Sequence, residues 1–208
     1  MGLNYNDVRC LMEWRGDKAG GNVATLGRLN VTLHARDVAD LQRKLANDVR
    51  ALAWLARYKW SDLADDMLRE VFKFDAVTSI DFSDYEGATV IQDIGVPLRE
   101  DLVGQFNLAI DDGTLEHVFN FPVAVGNLMR LVKVGGAVYT QNPCNGLAGH
   151  GFYQFSPELM HRIFSEPNGF ELSFARGSRS RIAYRSSSPA ASMSMMSWIR
   201  PSSGDAFF

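Results

Sequence analysis

Cysteine is nearly absent from this chain. Cys10 and Cys144 are the only two in 208 residues, too few to frame a disulfide scaffold or a thiol-rich metal site. No apolar run approaches the ~20 residues needed to span a bilayer. The first residues, MGLNYNDVRCLMEW, lack the basic-then-apolar order of a secretory leader. Met1-Gly2 makes no myristoylation signal, because Asn6 stands where Ser or Thr is required. An excess of one charge is missing too. Lys plus Arg number 21 against 24 Asp plus Glu, a net charge of −3, so no basic footprint for nucleic acid is expected. The four histidines include no H-x-x-x-H pair. With membrane and nucleic acid set aside, a small-molecule partner and a cytoplasmic setting are the expectation.

What is present is ordinary globular material, 46% hydrophobic and 22% charged, enough for a single domain with a real core. Residues 1–21 read as an N-terminal extension with a short helical pattern on Val8, Leu11 and Met12, and residues 186–208 as a loosely patterned tail. Val23–Gly27 reads as a first strand, with 28–33 its extension or the turn behind it. From Asp37 to Phe74 apolar residues recur at three- and four-residue steps, which predicts two helices with Asp37 and Ser61 as N-caps.

Four short apolar runs then each end on a polar or acidic residue: Ala76–Asp81, Ala88–Asp93, Phe106–Asp112 and Gly136–Asn142. Their length and β-branched content suit strands buried on both faces. A helix is expected over Phe119–Val134, stopped by Gly135-Gly136, and another from Ser156-Pro157-Glu158. Gly169–Ala175 and Met193–Arg200 read as late strands, and the Ser- and Ala-rich 186–194 as a loop. This order belongs to the α/β class. In an open parallel sheet the carboxyl ends of the strands share one edge, and ligands bind just beyond them. Asp81, Asp93, Asp111 and Asn142 are therefore expected along one edge.

The order, with GQFNLAIDDGTLEHV followed by LMRLVKVGGAVYTQNP, resembles the class I S-adenosylmethionine-dependent methyltransferases. A closer likeness, to a poorly characterised branch of methyltransferase-like proteins, is carried by TLGR (25–28), SDYEGA (83–88), DDGTLEHVFN (111–120) and GHGFYQFSPEL (149–159). The resemblance covers roughly 23–175. It implies a three-layer, Rossmann-like fold whose mostly parallel sheet gains a late antiparallel strand, and S-adenosylmethionine as cofactor at Gly27, Asp81 and Asp93. In that family an acidic residue at the position of Asp81 holds the ribose hydroxyls, and a group at that of Asp93 meets the adenine amine. The family's acidic-x-Gly-x-Gly-x-Gly loop is reduced here to Thr25-Leu26-Gly27-Arg28. A methyltransferase-fold binding or scaffold protein without donor binding is thus the alternative to an O- or N-methyltransferase of small molecules such as sugars.

Two segments carry candidate chemistry. Asp111, Asp112, Glu116 and His117 form the densest polar cluster. They suit a general base or its orienting partners, a helix cap, or, as a further alternative, a divalent-metal site. His150, between Gly149 and Gly151, is a side chain suited to proton exchange near neutral pH. Because both segments follow central strands, His150 is expected within one water-bridged contact of the cluster. Tyr153 and Gln154 are candidates for a pocket wall, and Phe152 and Phe155 for the core.

Overall fold

The computed structural model describes residues 2–16, 19–177 and 193–201. The chain opens with β1 (Gly2–Asn4), α1 (Tyr5–Arg15), β2 (Asn22–Leu26), β3 (Asn30–Thr32), α2 (Ala35–Lys44), α3 (Val49–Arg57) and α4 (Ala64–Glu70). There follow β4 (Ala76–Asp81), β5 (Val90–Ile91), β6 (Phe106–Asp112), α5 (Phe121–Leu131), β7 (Val132–Asn145), α6 (Pro157–Ile163), β8 (Phe170–Gly177) and β9 (Met193–Pro201).

Seven strands form one sheet in the order β5-β4-β2-β6-β7-β9-β8. β5, β4, β2, β6 and β7 are parallel, and β9 pairs antiparallel with both β7 and β8. The order reverses at β2, which starts the sheet and is flanked by the later strands β4 and β6. That reversal is the topological switch point where a doubly wound sheet opens a crevice. β1 and β3 pair separately as a two-stranded parallel sheet.

Side-chain alternation makes three layers of this sheet. Val23, Leu108, Ile110 and Tyr139 point to one face and pack with Leu3, Val8, Leu11, Leu41, Trp54 and Leu68 of the N-terminal third. Their sequence neighbours Ala24, Ala109 and Val138 point to the other, against Leu128 and Leu131 of α5, Met160 of α6 and Phe155. Both faces are covered, as the unbroken apolar runs require.

Several boundaries depart from the sequence-based expectation. The segment 37–74 holds three helices instead of two, because Asp48 restarts the chain as an N-cap accepting from Ala51 N–H at 3.0 Å. Asp37 caps from inside the first turn, its Oδ2 accepting His34 N–H at 2.9 Å. Ser61 is not a cap; it has φ 68° and α4 starts later, at Ala64. The strand expected over 88–93 shrinks to Val90–Ile91. Arg28–Leu33 supplies β3.

α5 ends at Leu131 and passes directly into β7, so Gly135-Gly136 is not its stop. Gly136 lies instead at the register shift opposite Phe106–Leu108. A Cβ there would meet Lys133 O at 2.8 Å and the carbonyls of Phe106 and Asn107 at 3.1 Å. The helix from Ser156 forms as expected, Ser156 Oγ accepting Leu159 N–H. Of the 186–194 loop, residues up to 192 lie outside the described ones, and Met193 and Ser194 open β9. Among the described residues no helix is long and apolar enough to cross a membrane.

The N-terminal segment is built into the core instead of being appended to it. Arg15 at the end of α1 donates to the carbonyls of Gly20, Phe72 and Lys73 and lies 4.0 Å over the Phe74 ring. At the start of α1, Asp7 accepts Asn4 N–H at 2.7 Å and the Tyr139 hydroxyl at 2.6 Å. Both Asp7 and Tyr139 are fully buried. Burial lifts the Asp7 carboxyl from its usual 3.8 to about 6, against the lowering effect of its hydrogen bonds. The fold therefore favours the neutral acid. Stability from this preference is complete below about pH 4 and is lost as pH rises through about 6, about 3 kcal/mol in all. Urea unfolding between pH 4 and 7 is expected to show a smaller fall in stability for Asp7→Asn than for the wild type.

Candidate active site

The carboxyl ends of β2, β4, β5, β6 and β7 meet on one edge, bringing Gly27, Asp81, Asp93, Asp111 and Asn142 together there. A cleft of about 690 Å³ opens beyond the switch point. Gly27, Asp81, Phe82, Asp93, Thr114, His117 and Phe119 are among its walls. Gly27 has φ 75°, and a Cβ on it would point at Asp81 Oδ2 (3.5 Å) and Thr114 Oγ1 (3.7 Å). Glycine thus keeps open the space between two polar groups and satisfies a left-handed backbone.

Asp81 Oδ1 accepts Ser83 N–H at 3.2 Å, which orients the carboxylate. Asp93 Oδ1 accepts Gly95 N–H at 2.8 Å, forming a tight turn. Asn120 Nδ2 donates to Gly95 O, and Asn127 Nδ2 to Ile94 O and Val96 O, so α5 and its leading turn hold this loop in place. Arg28, next to Gly27, is also part of the cleft wall. Its guanidinium donates to Glu86 O and Gly87 O and lies 3.4 Å from Asp65, closing the 83–88 segment over α4.

Alternation along β6 separates the two adjacent aspartates. Asp111 faces α5, fully buried. Its Oδ1 accepts Thr114 N–H (2.9 Å) and Leu115 N–H (3.2 Å), and its Oδ2 accepts Asn142 Nδ2 (2.8 Å). The Thr140 hydroxyl lies 2.8 Å from Asp111 Oδ2 and 2.6 Å from Asn142 Oδ1. With one proton, the Thr140 hydroxyl is shared between these two acceptors. Burial lifts Asp111 to about 6, with the Glu116 charge adding to it and the bonds from Asn142, Thr114 and Thr140 opposing.

Asp112 corrects the expected cluster. It points to the opposite face, 4% exposed, and its Oδ2 is buried without a hydrogen-bond partner. Burial first, then the charges of Asp7 and Asp111, drive its pKa well up. Asp112 belongs to the Asp7–Tyr139 side of the sheet and not to the cleft.

Glu116, His117 and His150 converge as anticipated. Glu116 is 2% exposed, and its Oε2 accepts Asn142 Nδ2 at 3.1 Å. Burial pushes its pKa up, opposed by its hydrogen bonds and by His150. His150 Nε2 is 3.7 Å from Glu116 Oε1, and the two imidazoles meet edge-on with centroids 4.8 Å apart. Burial and the neighbouring His150 lower the pKa of His117, with Asp111 acting against them. The GHG turn reaches this place because Phe152 and Tyr153 donate backbone N–H groups to Glu116 O (2.8 and 3.2 Å). A Cβ on Gly151 would sit 2.7 Å from that same oxygen.

Phe152 is 65% exposed, contrary to the expectation of a core residue, and packs edge-on against the equally exposed Phe119 at 5.5 Å. Phe155 is buried as expected. Tyr153 and Gln154 line a different, largely apolar cavity of about 610 Å³ between α5 and α6. Thr114, a candidate cap from its sequence position, heads the 115–117 turn without a side-chain capping bond; its hydroxyl donates instead to Leu26 O at 3.0 Å and ties the ends of β6 and β2.

No protein-family model and no curated protein matches the chain. Solved structures do match in shape. A Bacillus halodurans protein considered to be a methyltransferase is 11% identical, with a TM-score of 0.57 over 95% of this chain and 99% of its own. The 1,6-didemethyltoxoflavin-N1-methyltransferase of Burkholderia thailandensis, solved with its substrate and S-adenosylhomocysteine, is 12% identical. Its TM-score is 0.53 over 93% of this chain and 76% of its own. The fold is that of the class I methyltransferases. This methyltransferase fold is not tied to one reaction. The [4+2]-cyclase SpnF shares it as well, at 10% identity and a TM-score of 0.51 over 96% of this chain and 81% of its own.

Two substitutions test the geometry. Asp112→Asn removes a buried carboxyl whose raised pKa costs stability at neutral pH, and is expected to raise the melting temperature there, by roughly 2–4 °C for each kcal/mol gained. Gly151→Ala forces a methyl group against Glu116 O and is expected to cost roughly 1–3 kcal/mol in urea unfolding.

Proposed function

We propose that the protein is an S-adenosylmethionine-dependent methyltransferase that acts on a hydroxyl or amino group of a small molecule. The observation that carries this reading is the pairing of Asp81 and Gly27 across the cleft at the topological switch point. A carboxylate there accepts two hydrogen bonds from a ribose diol, and the missing side chain lets the backbone approach the cofactor. The Asp93–Gly95 turn lies where the adenine would be bound, with the exposed rings of Phe82 and Phe119 on the cleft wall. Arg28 stands in the same cleft wall, with its guanidinium engaged by Glu86 O, Gly87 O and Asp65.

Methyl transfer from a sulfonium is an in-line displacement. The nucleophile attacks the methyl carbon, the carbon–sulfur bond breaks, and the sulfur leaves neutral. The protein contributes positioning and loss of the acceptor's proton. Glu116, His117 and His150 stand beside the donor cleft, with His117 in its wall. They are the groups proposed to meet the acceptor. Asp111 and Asn142 touch neither ligand in this reading and act as positioning residues for Glu116.

Calorimetric titration with S-adenosylhomocysteine tests the donor site. The wild type is expected to bind, and Asp81→Ala to bind roughly 10–100-fold more weakly, the equivalent of losing a charged acceptor. The melting temperature of Asp81→Ala without ligand is expected to stay close to that of the wild type, because this residue is only half-buried. A wild type that binds neither S-adenosylhomocysteine nor S-adenosylmethionine would favour the scaffold alternative.

A further inference from the structure

We propose that Glu116, His117 and His150 form a binding site for one divalent transition-metal ion, placed to hold the acceptor. One ligand atom from each of the three lies within 4.8 Å of the others. The set that converges differs from the acidic one suggested by the sequence, since Asp112 faces away and both oxygens of Asp111 are engaged internally.

The trio is positioned as a metal centre requires. Glu116 presents Oε1 toward His150 while Asn142 holds Oε2, and Asn142 is itself held by Asp111. Outer hydrogen bonds of this kind fix a ligating carboxylate and commonly carry 10–100-fold in metal affinity. The His150 Nε2 to Glu116 Oε1 separation of 3.7 Å is beyond a good hydrogen bond and leaves room between the two atoms. His117 and His150 are both exposed, so their rings can turn to close the triangle to the ~2.0–2.2 Å ligand distances of imidazole and carboxylate. The backbone hydrogen bonds donated by Phe152 and Tyr153 N–H to Glu116 O keep the second loop in reach.

Two imidazoles and one carboxylate select a borderline ion such as Zn²⁺, Co²⁺ or Fe²⁺ over Mg²⁺ or Ca²⁺, which prefer oxygen. Three protein ligands with an open side match catalytic rather than structural sites. The open side adjoins the cleft through His117. A bound acceptor hydroxyl would coordinate there, release its proton to water, and present its oxygen to the methyl group. The location of the ion rests on the geometry alone, and its role toward the acceptor rests on the methyltransferase reading above.

Cobalt titration of the metal-free protein, followed by visible absorption and checked by Zn²⁺ displacement, tests the site. One Co²⁺ per chain is expected, with the absorption lost on adding Zn²⁺. His150→Ala and His117→Ala are each expected to weaken binding at least tenfold, and Asn142→Ala, which leaves all three ligands in place, by a smaller factor. Equal affinity in the His117→Ala/His150→Ala double variant, or no cobalt spectrum in the wild type, would overturn the proposal. A parallel titration with S-adenosylhomocysteine keeps the two readings apart. Metal binding without donor binding sustains the site and removes the methyl-transfer role, and donor binding without metal does the reverse.

Discussion

The buried carboxyl of Asp111 is the constraint on which the cleft edge depends. It receives the N–H groups of Thr114 and Leu115, and so bends the chain as it leaves β6. It also receives Asn142 from the neighbouring strand, and Asn142 reaches onward to Glu116. One side chain thus fixes the turn that carries Thr114 and His117 and, through one intermediary, the carboxylate that faces His150. In a site excluded from water such a network is stiff when fully satisfied and costly when any member is removed. The Thr140 hydroxyl, between Asp111 and Asn142, closes the network on the β7 side.

The sheet separates two polar systems by only one residue of chain. Asp111 and Asp112 are neighbours, yet period-two alternation sends one toward the cleft and the other toward α1. On the α1 side Asp7, Tyr139 and Asp112 lie within a single buried polar patch, tied by one strong hydrogen bond and strained by one unpartnered oxygen. That patch shapes the dependence of stability on pH, whereas the cleft side shapes chemistry. Mutational effects at residues 111 and 112 are for this reason expected to differ in kind.

The strand ends were legible in the sequence because fully buried parallel strands leave unbroken apolar runs closed by a polar residue. Ala76–Asp81 and Phe106–Asp112 were read to the residue, and the edge shared by Asp81, Asp93, Asp111 and Asn142 followed from parallel pairing. The GHG and LEH segments were legible as a meeting pair for the same reason. What escaped was decided by contacts distant in sequence. Gly135-Gly136 looks like a helix stop, and only the register of β7 against β6 shows that Gly136 is needed for a bulge. The face chosen by Asp112, the outward turn of Phe152 and the tying back of Arg28 by two backbone carbonyls likewise depend on tertiary partners. Asp48 as a cap was obscured by the helical spacing of Leu45 and Val49 on either side of it.

The bond between Asp7 and Tyr139 joins positions 132 residues apart. During synthesis α1 leaves the ribosome long before β7 exists, so its capping carboxylate first meets water and is charged. The central strand β2 is in the same position, since its neighbour β6 arrives some eighty residues later. Contacts of such long range are slow to form because loop closure precedes any gain from them. The N-terminal layer therefore waits, incompletely docked, for the middle of the chain. Locking α1 in place and burying the Asp7 carboxyl become one late event in folding, after β7 has joined the sheet.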